Sequence, residues 1–503
     1  MSSSPPPPPG SPPRGLPSAP FGLDREAFRR LGSRAVDLAA EHLDAIRRRP
    51  VFTPMTPAER GALLDLGLPE TGVAPEALLD AAARLVLAHP MGNGHPRFFG
   101  WVNSPPAPIG ALAELLAAAV DPSCAGGDHA AIYLERAVVR WLMELVGFPV
   151  TGSMGLLVSG GSMASLTALA AARDKAARDD GWDLRAEGLW GRPPFVLYVS
   201  EEGHGTLRKA AELLGLGSAQ VRVVPVDGDF RLDVAGLARA VTADRATGRR
   251  PFCVAASAGT VNTGAIDPLD AIAEFSAGEG LWLHVDGAYG AVGILDPDRA
   301  SRYKGLSRAD SLALDPHKWL SVPVECGCVI VRDGETLRAT FSHVPPYLRT
   351  EEGKGFGGLP WYSEYGFQQT RGFRALKLWL TVGHAGRDGL RRLVVRHNRL
   401  AVLLADLVDA TPELQRLAPV ELSIVCFRYV PPGAQEDDGA LDALNQALVE
   451  AVQAGGETFL TATVVRGRFA LRACVLHYDT TEADIRTLVD TVRRAGARLA
   501  AAR

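Results

Sequence analysis

The sequence has little that would tie it to a metal, a membrane or a nucleic acid. Its six cysteines in 503 residues, Cys124, Cys253, Cys326, Cys328, Cys426 and Cys474, include no Cys-x-x-Cys pair, so no zinc site or redox dithiol is written into the chain. Cys326 and Cys328 come nearest, but alternate positions in the run Cys326 to Val331 share one face of a strand, which reads as two buried, reduced thiols. No apolar stretch reaches the roughly 18 residues that a membrane helix needs, and the N-terminus lacks the charged and hydrophobic regions of a signal peptide. These absences imply a cytoplasmic protein with no membrane partner. Charge of one sign is also missing: a net charge of −4 with scattered arginines leaves no electrostatic footprint for nucleic acid.

What is present is length and apolar content. With 47% hydrophobic and 22% charged residues the composition is that of a soluble enzyme, and 503 residues exceed one small core. Residues 1–20 are Ser, Pro and Gly with almost nothing to bury and read as a disordered tail. Order begins at Asp24, which can cap a helix through Phe28, Leu31, Ala35, Leu38 and Leu43. Pro50 to Pro57 breaks it, and shorter helices follow, giving an N-terminal helical segment over 21–105. From 106 to 388 apolar runs alternate with amphipathic helices. Val196–Ser200, Val221–Val226, Phe252–Ala256, Trp282–Val285, Ser311–Leu314 and Cys328–Val331 read as strands of a mainly parallel sheet covered on both faces. The pattern over 389–503 predicts a smaller domain of mixed helix and strand.

Two motifs carry chemistry. Asp286 closes the apolar run from Leu281, and Lys318 lies in Asp315-Pro-His317-Lys318-Trp319 after the next such run. In a parallel sheet both fall at the carboxyl ends of strands, where ligands gather. A lysine amine there can form a Schiff base with an aldehyde, and a buried acid can keep a pyridine nitrogen protonated, which is what pyridoxal 5'-phosphate requires. Ser159-Gly-Gly161-Ser162 enters a helix, so its backbone N–H groups can dock a phosphate, although Gly-Ser also serves simple capping. His204 follows the strand ending at Ser200 and reads either as a ring stacked on the cofactor or as a solvent-exposed loop histidine. His284 with Asp286 imitates a metal-ligand spacing, but no third ligand is evident. Gly353-Lys-Gly-Phe-Gly-Gly358 matches a dinucleotide fingerprint in form alone, since neither strand nor helix flanks it. With Trp361 to Tyr365 it reads as a mobile lid.

Together with His95-Pro-Arg97-Phe98, Ser257-Ala-Gly-Thr260 and Arg371-Gly-Phe-Arg-Ala-Leu-Lys377, these motifs make the chain resemble the group II pyridoxal phosphate-dependent amino acid decarboxylases, most closely the aromatic-L-amino-acid decarboxylase-like branch. The resemblance runs from Leu23 to the C-terminus. It implies an α/β type I fold like that of aspartate aminotransferase, and a homodimer with active sites at the interface and the N-terminal helices as a clasp. It makes Lys318 the Schiff-base lysine, Asp286 the pyridinium partner and His204 the stacking residue. Gly161, Ser162, His317 and Asp315 fall around the phosphate or the lysine, and Thr260 and Ala288 flank the ring. A loop tyrosine assists protonation in this family, and ungapped spacing from Arg371 points to Tyr362, with Tyr365 as rival.

The resemblance implies decarboxylation of an L-amino acid to its amine, with an aromatic substrate favoured and Phe98, Trp101 and Ser104 near the substrate. Phe98, Phe99 and Trp101 can equally serve to pack the N-terminal segment. An acidic substrate would need a buried cation, for which Arg97 is a candidate. Aldehyde synthesis or transamination keeps the same cofactor, and a catalytically silent protein acting through its proline-rich tail is the reading from another class. Two departures stand out: family members often carry Asn where Asp315 stands, and Pro122 to Glu135 lacks the usual Trp and Ser-Pro pattern of a pocket-shaping segment.

Overall fold

The computed structural model describes residues 21–344, 354–359, 361–433 and 437–502. The proline-rich tail and residues Glu351 to Gly353 and Pro360 of the lid lie outside them. The chain divides into two compact units, one holding the residues up to Arg48 with Met55–Pro90, the other Arg49–Pro54 with Met91–Arg503.

The first unit is built from α1 (Arg25–Ala45), α2 (Pro57–Leu64) and α3 (Pro75–Ala82). Asp24 caps α1 by accepting from the Ala27 N–H at 2.7 Å, and Thr56 with Glu59 forms a capping box on α2. Ion pairs Arg30–Glu76 at 2.8 Å and Arg34–Asp80 at 3.4 Å join α1 to α3. None of the three helices has a buried residue, so apolar positions such as Phe28, Val36 and Leu78 stay uncovered. This compact unit ends at Pro90, inside the N-terminal segment expected over 21–105. The reason is Phe459, which accepts from the Phe99 N–H, donates to the Arg97 carbonyl and stacks on Phe98 at 4.8 Å, and so binds residues 97–99 into the second unit.

The second unit continues with α4 (Pro108–Val120), α5 (Ala130–Val146), β1 (Met154–Val158), α6 (Gly161–Asp179), α7 (Leu184–Glu187), β2 (Phe195–Ser200), α8 (Thr206–Leu213), β3 (Val221–Val224), α9 (Val234–Ala246), β4 (Arg250–Ser257), α10 (Leu269–Glu279), β5 (Trp282–Asp286), β6 (Ser311–Leu314), β7 (Gly327–Val331) and α11 (Gly334–Phe341). Its sheet has the order β1-β7-β6-β5-β4-β2-β3. Strands β3, β2, β4, β5 and β6 are parallel, while β7 runs antiparallel between β6 and β1. Both faces are buried, as the near-continuous apolar strands require. Val196 and Tyr198 of β2 enter one core, Phe195, Leu197 and Val199 the other. Parallel pairing sets Ser257, Asp286 and the turn after Leu314 along one edge.

The chain leaves this sheet through α12 (Arg374–Asp409), whose helical turns are interrupted at Gly386 (φ 64°, ψ 165°). A second sheet, β10-β11-β9-β8, is antiparallel and comprises β8 (Leu414–Arg416), β9 (Ile424–Tyr429), β10 (Thr461–Val465) and β11 (Arg468–Cys474). Helices α13 (Asp438–Gly455) and α14 (Glu482–Ala501) pack with it and with α12 around Leu404, Phe427, Leu448 and Leu488. All six cysteines are buried and unpaired. No described helix is long and apolar enough to cross a membrane.

Candidate active site

A cleft of about 530 Å³ opens at the carboxyl edge of the large sheet. Gly160, Gly161, Ser162, His204, Asp286, Ala288, Asp315, His317 and Lys318 line it, together with Trp101, Asn262, Thr461 and Arg472.

Each polar group arrives by the element that carries it. Asp286 ends β5 and accepts from the Ala288 N–H at 3.1 Å. Behind it His284 is fully buried, with Nδ1 2.9 Å from Ser311 Oγ and Nε2 3.2 Å from Ser165 Oγ. Burial lowers its pKa to about 4, so it is a neutral strut between β5 and α6. His204 accepts at Nδ1 from the Thr206 N–H at 3.2 Å, which leaves the proton of the neutral ring on Nε2. His317 accepts at Nδ1 from the Cys326 N–H at 2.9 Å, and burial lowers its pKa against the pull of Asp315.

Lys318 sits in the tight turn after β6, its N–H on the Asp315 carbonyl at 2.9 Å. Its Nζ lies 3.0 Å from Asp315 Oδ2. Opposite, the 19-residue α6 begins at Gly161 with no side chain capping its first turn. Those N–H groups and the positive end of the helix dipole form a seat for an anion. The seat is tight: a Cβ on Gly161 would lie 3.0 Å from both Ala288 Cβ and Asp315 Oδ2. An amine, a carboxylate at a strand end, an imidazole and an uncapped helix N-terminus thus face one space, which is the donor set that pyridoxal phosphate needs.

Residues 57–430 match the family model described as the pyridoxal-dependent decarboxylase conserved domain. The chain belongs to that family. This decarboxylase is 33% identical over 461 residues to an aromatic-L-amino-acid decarboxylase of Bacillus atrophaeus, covering 91% of this chain and 93% of the relative. It is 32% identical over 471 residues to an L-2,4-diaminobutyrate decarboxylase of Rhizobium meliloti, covering 93% and 91%. A crystal structure of Oryza sativa TDC with PLP and tryptamine superposes with a TM-score of 0.88 at 26% identity, covering 96% of this chain and all of that one. The decarboxylase is therefore a pyridoxal phosphate-dependent carboxy-lyase with the type I fold, and the residues just described fit its cofactor.

Several expected positions fall elsewhere in the decarboxylase. Ser104 does not line the cleft; its Oγ donates to the backbone carbonyls of His317, at 3.3 Å, and Lys318, so it fixes the lysine turn from behind. Phe98 is sealed against Phe459. Thr260 is buried in its own turn, where Oγ1 meets Thr263 Oγ1 at 3.0 Å and accepts from the Ala265 N–H at 3.1 Å, while its neighbours Gly259 and Val261 reach the cleft. Arg97 is absent from the lining. Tyr362 and Tyr365 both pack into the core beside Leu156; the Tyr362 ring lies under Arg371 and its hydroxyl has no hydrogen-bond partner among the described residues. Burial raises the Tyr362 phenol well above its usual range, so it keeps its proton, and in this chain it packs in the core and does not line the cleft. The segment from Pro122 to Glu135 also turns away, with His129 stacked on Phe356 at 6.0 Å.

Arg472 was not anticipated. It lines the cleft from β11 and donates to the carbonyls of Asn262 at 3.1 Å, Trp101 at 3.0 Å and Val261 at 2.5 Å. The signal was an arginine inside the apolar strand Ala470-Leu-Arg-Ala-Cys474, where a buried charge demands partners.

Proposed function

We propose that the substrate is an aromatic L-amino acid and the product its amine. What supports this most is Trp101, held at the cleft by Arg472 on its carbonyl and by Thr461 Oγ1, which accepts from its N–H at 3.2 Å. Its ring is half exposed and backed by Phe459 at 5.7 Å, an apolar wall for a flat side chain. Arg97, the cation expected for an acidic substrate, does not line the cleft.

Pyridoxal phosphate, when bound, supplies an aldehyde for an amine and a ring that accepts the electrons released as carbon dioxide leaves. The chain's own residues do the rest. Lys318 provides the tethering amine. Asp286, at the end of a buried strand, keeps a proton on the pyridine nitrogen. His204 would cover the ring, and its Nε2 carries a proton that it could move. The first turn of α6, with Ser162, takes the phosphate. Arg472 is the cation for the α-carboxylate, because three backbone carbonyls use only three of its five N–H groups.

A second substrate reading, a diamino acid, has one observation in its favour. Glu202 is hydrogen-bonded to Asn262 of the cleft, its carboxyl pKa raised by burial, and one of its oxygens has no partner among the described residues. A cationic side chain placed there would pair with this carboxyl and favour its ionised form.

The assembly we propose is a cytoplasmic homodimer. The exposed Leu112, Leu115, Leu116 and Val120 of α4 form one uncovered apolar face, and α1 offers another with Phe28 and Val36. We divide the chain into a tail (1–20), an N-terminal clasp (21–105), a large cofactor domain (106–388) and a small domain (389–503), the last boundary lying beside the Gly386 interruption of α12.

Mass spectrometry of products, after incubation of cofactor-loaded protein with each common L-amino acid and L-2,4-diaminobutyrate, tests the reading with Lys318→Ala as control. Tryptamine, tyramine or phenethylamine that depends on Lys318 supports it. An aldehyde or keto acid, or 1,3-diaminopropane alone, overturns it.

A further inference from the structure

Asp315 brings a carboxylate into the part of the cleft that must accept a phosphate. Its side chain is 2% exposed, with Oδ2 3.0 Å from Lys318 Nζ and 3.7 Å from His317 Nε2. The other oxygen, Oδ1, has no hydrogen-bond partner among the described residues. A buried carboxylate oxygen without a donor is costly, and it persists only where something else holds the group in place. Here that something is the Lys318 ammonium.

The same carboxylate presses on the anion seat. A Cβ on Gly161 would meet Oδ2 at 3.0 Å, and one on Gly160 would meet Oδ1 at 3.9 Å, so both oxygens face the start of α6. His317 cannot neutralise this charge, because Cys326 N–H occupies its Nδ1 and burial keeps the ring neutral. A phosphate docking at α6 therefore meets a fixed negative charge, and the lysine that must join the cofactor is first bound to that charge.

We propose that Asp315 is a positioning residue that weakens cofactor binding: it pairs with Lys318 and opposes the phosphate, so that this enzyme exchanges its cofactor with solution. The inference rests on Lys318 and the α6 N-terminus being the cofactor's anchors. An asparagine at this position keeps the shape, removes the charge and releases the lysine.

The test compares cofactor-stripped full-length protein with its Asp315→Asn variant, using two ligands. Pyridoxal phosphate is followed by visible absorbance of the lysine-bound form. Pyridoxamine phosphate, which has no aldehyde and reads the site without the bond to Lys318, is followed by quenching of tryptophan fluorescence. Loss of one charge from a site with an effective dielectric of about 20 should lower both dissociation constants by about tenfold or more. Unchanged or weaker binding of either ligand by the variant overturns the proposal. Near-UV circular dichroism checks the fold, and Asp315→Ser serves if the asparagine variant does not fold. If the unaltered protein binds neither ligand, the assignment of the anchors fails, which is distinguishable from a wild-type protein that binds and a variant that gains nothing.

Discussion

Glu135 and Arg371 form an ion pair that water does not reach. Glu135 lies on α5 and Arg371 just before α12, and their side chains are 0% and 1% exposed. The pair is bidentate, and both partners grip β1: Glu135 Oε1 accepts from the Leu157 N–H at 2.9 Å, and Arg371 Nη2 donates to the Leu157 carbonyl at 2.5 Å. Arg371 also donates to the Cys124 carbonyl at 2.9 Å. Leu157 stands shortly before the Gly160-Gly161 turn, so the pair sets the height at which the anion seat begins.

Removing one partner should therefore cost both stability and cofactor. Arg371→Ala strands a buried carboxylate, and a loss of about 3–5 kcal/mol is expected in urea unfolding of the cofactor-free protein. Arg371→Lys keeps the charge but not the planar fork, and should recover only part of the loss. Equal urea midpoints for the wild type and the alanine variant would show that the pair does not hold β1.

The acid side of the stability profile is expected to carry the signature of His397. Its Nδ1 accepts from Trp319 Nε1–H at 2.9 Å and its Nε2 lies 3.1 Å from the His477 carbonyl, an arrangement that only the neutral ring satisfies. Burial lowers its pKa to about 3. The unfolded chain binds this proton below about pH 6.5 and the folded one does not until about pH 3, so stability is lost as pH falls through that window. Asp267 acts in the opposite sense: burial raises it to about 7, and its contribution is lost as pH rises from about 4. Replacing His397 with Gln isolates the first effect. Between pH 7.5 and 5 the variant should gain about 2 kcal/mol relative to wild type. A constant difference across that range would mean that the ring is protonated in the folded state.

Most of the large sheet was legible because its strands are buried on both faces and read as short apolar runs between helices. The strand ends then placed Asp286 and Lys318 at one edge, and the glycine turn placed α6. Legibility failed where a residue's task is set by a partner far along the chain. Ser104 is a neighbour of the lysine turn only through a contact 214 positions away, and Arg472 reaches Trp101 across 371. Nothing local marks Ser104, and the apolar run around Arg472 marks a buried charge without naming its partners. The surroundings of Tyr362 were not legible either: the same Arg371 that sets its spacing in the sequence covers its ring at 4.9 Å. The attachment of Phe98 and Phe99 to Phe459 was hidden in the same way, by distance along the chain.

Asp286 should separate binding from chemistry. An asparagine there still fits at the end of β5 and can accept from Ala288, but it carries no charge to hold a proton on the cofactor's ring. We expect Asp286→Asn to develop the visible absorbance of lysine-bound cofactor while kcat falls about 100- to 1,000-fold with little change in KM. A proportionate rise in KM with kcat retained would assign Asp286 to substrate binding instead.

Trp101 is where the substrate assignment is most exposed to test. Its backbone is held at φ 47°, a conformation that costs a bulky residue of order 1 kcal/mol and persists because Thr461 and Arg472 pin it from both sides. Trp101→Gly removes the ring and suits that backbone, so the fold should survive. If the indole is the wall against which a flat side chain lies, the variant should lose about 10- to 100-fold in kcat/KM for tryptophan or tyrosine, the equivalent of about 1.4–2.7 kcal/mol. It should lose far less for L-2,4-diaminobutyrate, whose side chain has no aromatic face to pack. Measuring both substrates on the same preparation removes any common effect on cofactor content or folding. Equal losses for the two would make Trp101 a mere support of the cleft, and a selective loss of the diamino acid would move the choice of substrate to Glu202 and Asn262.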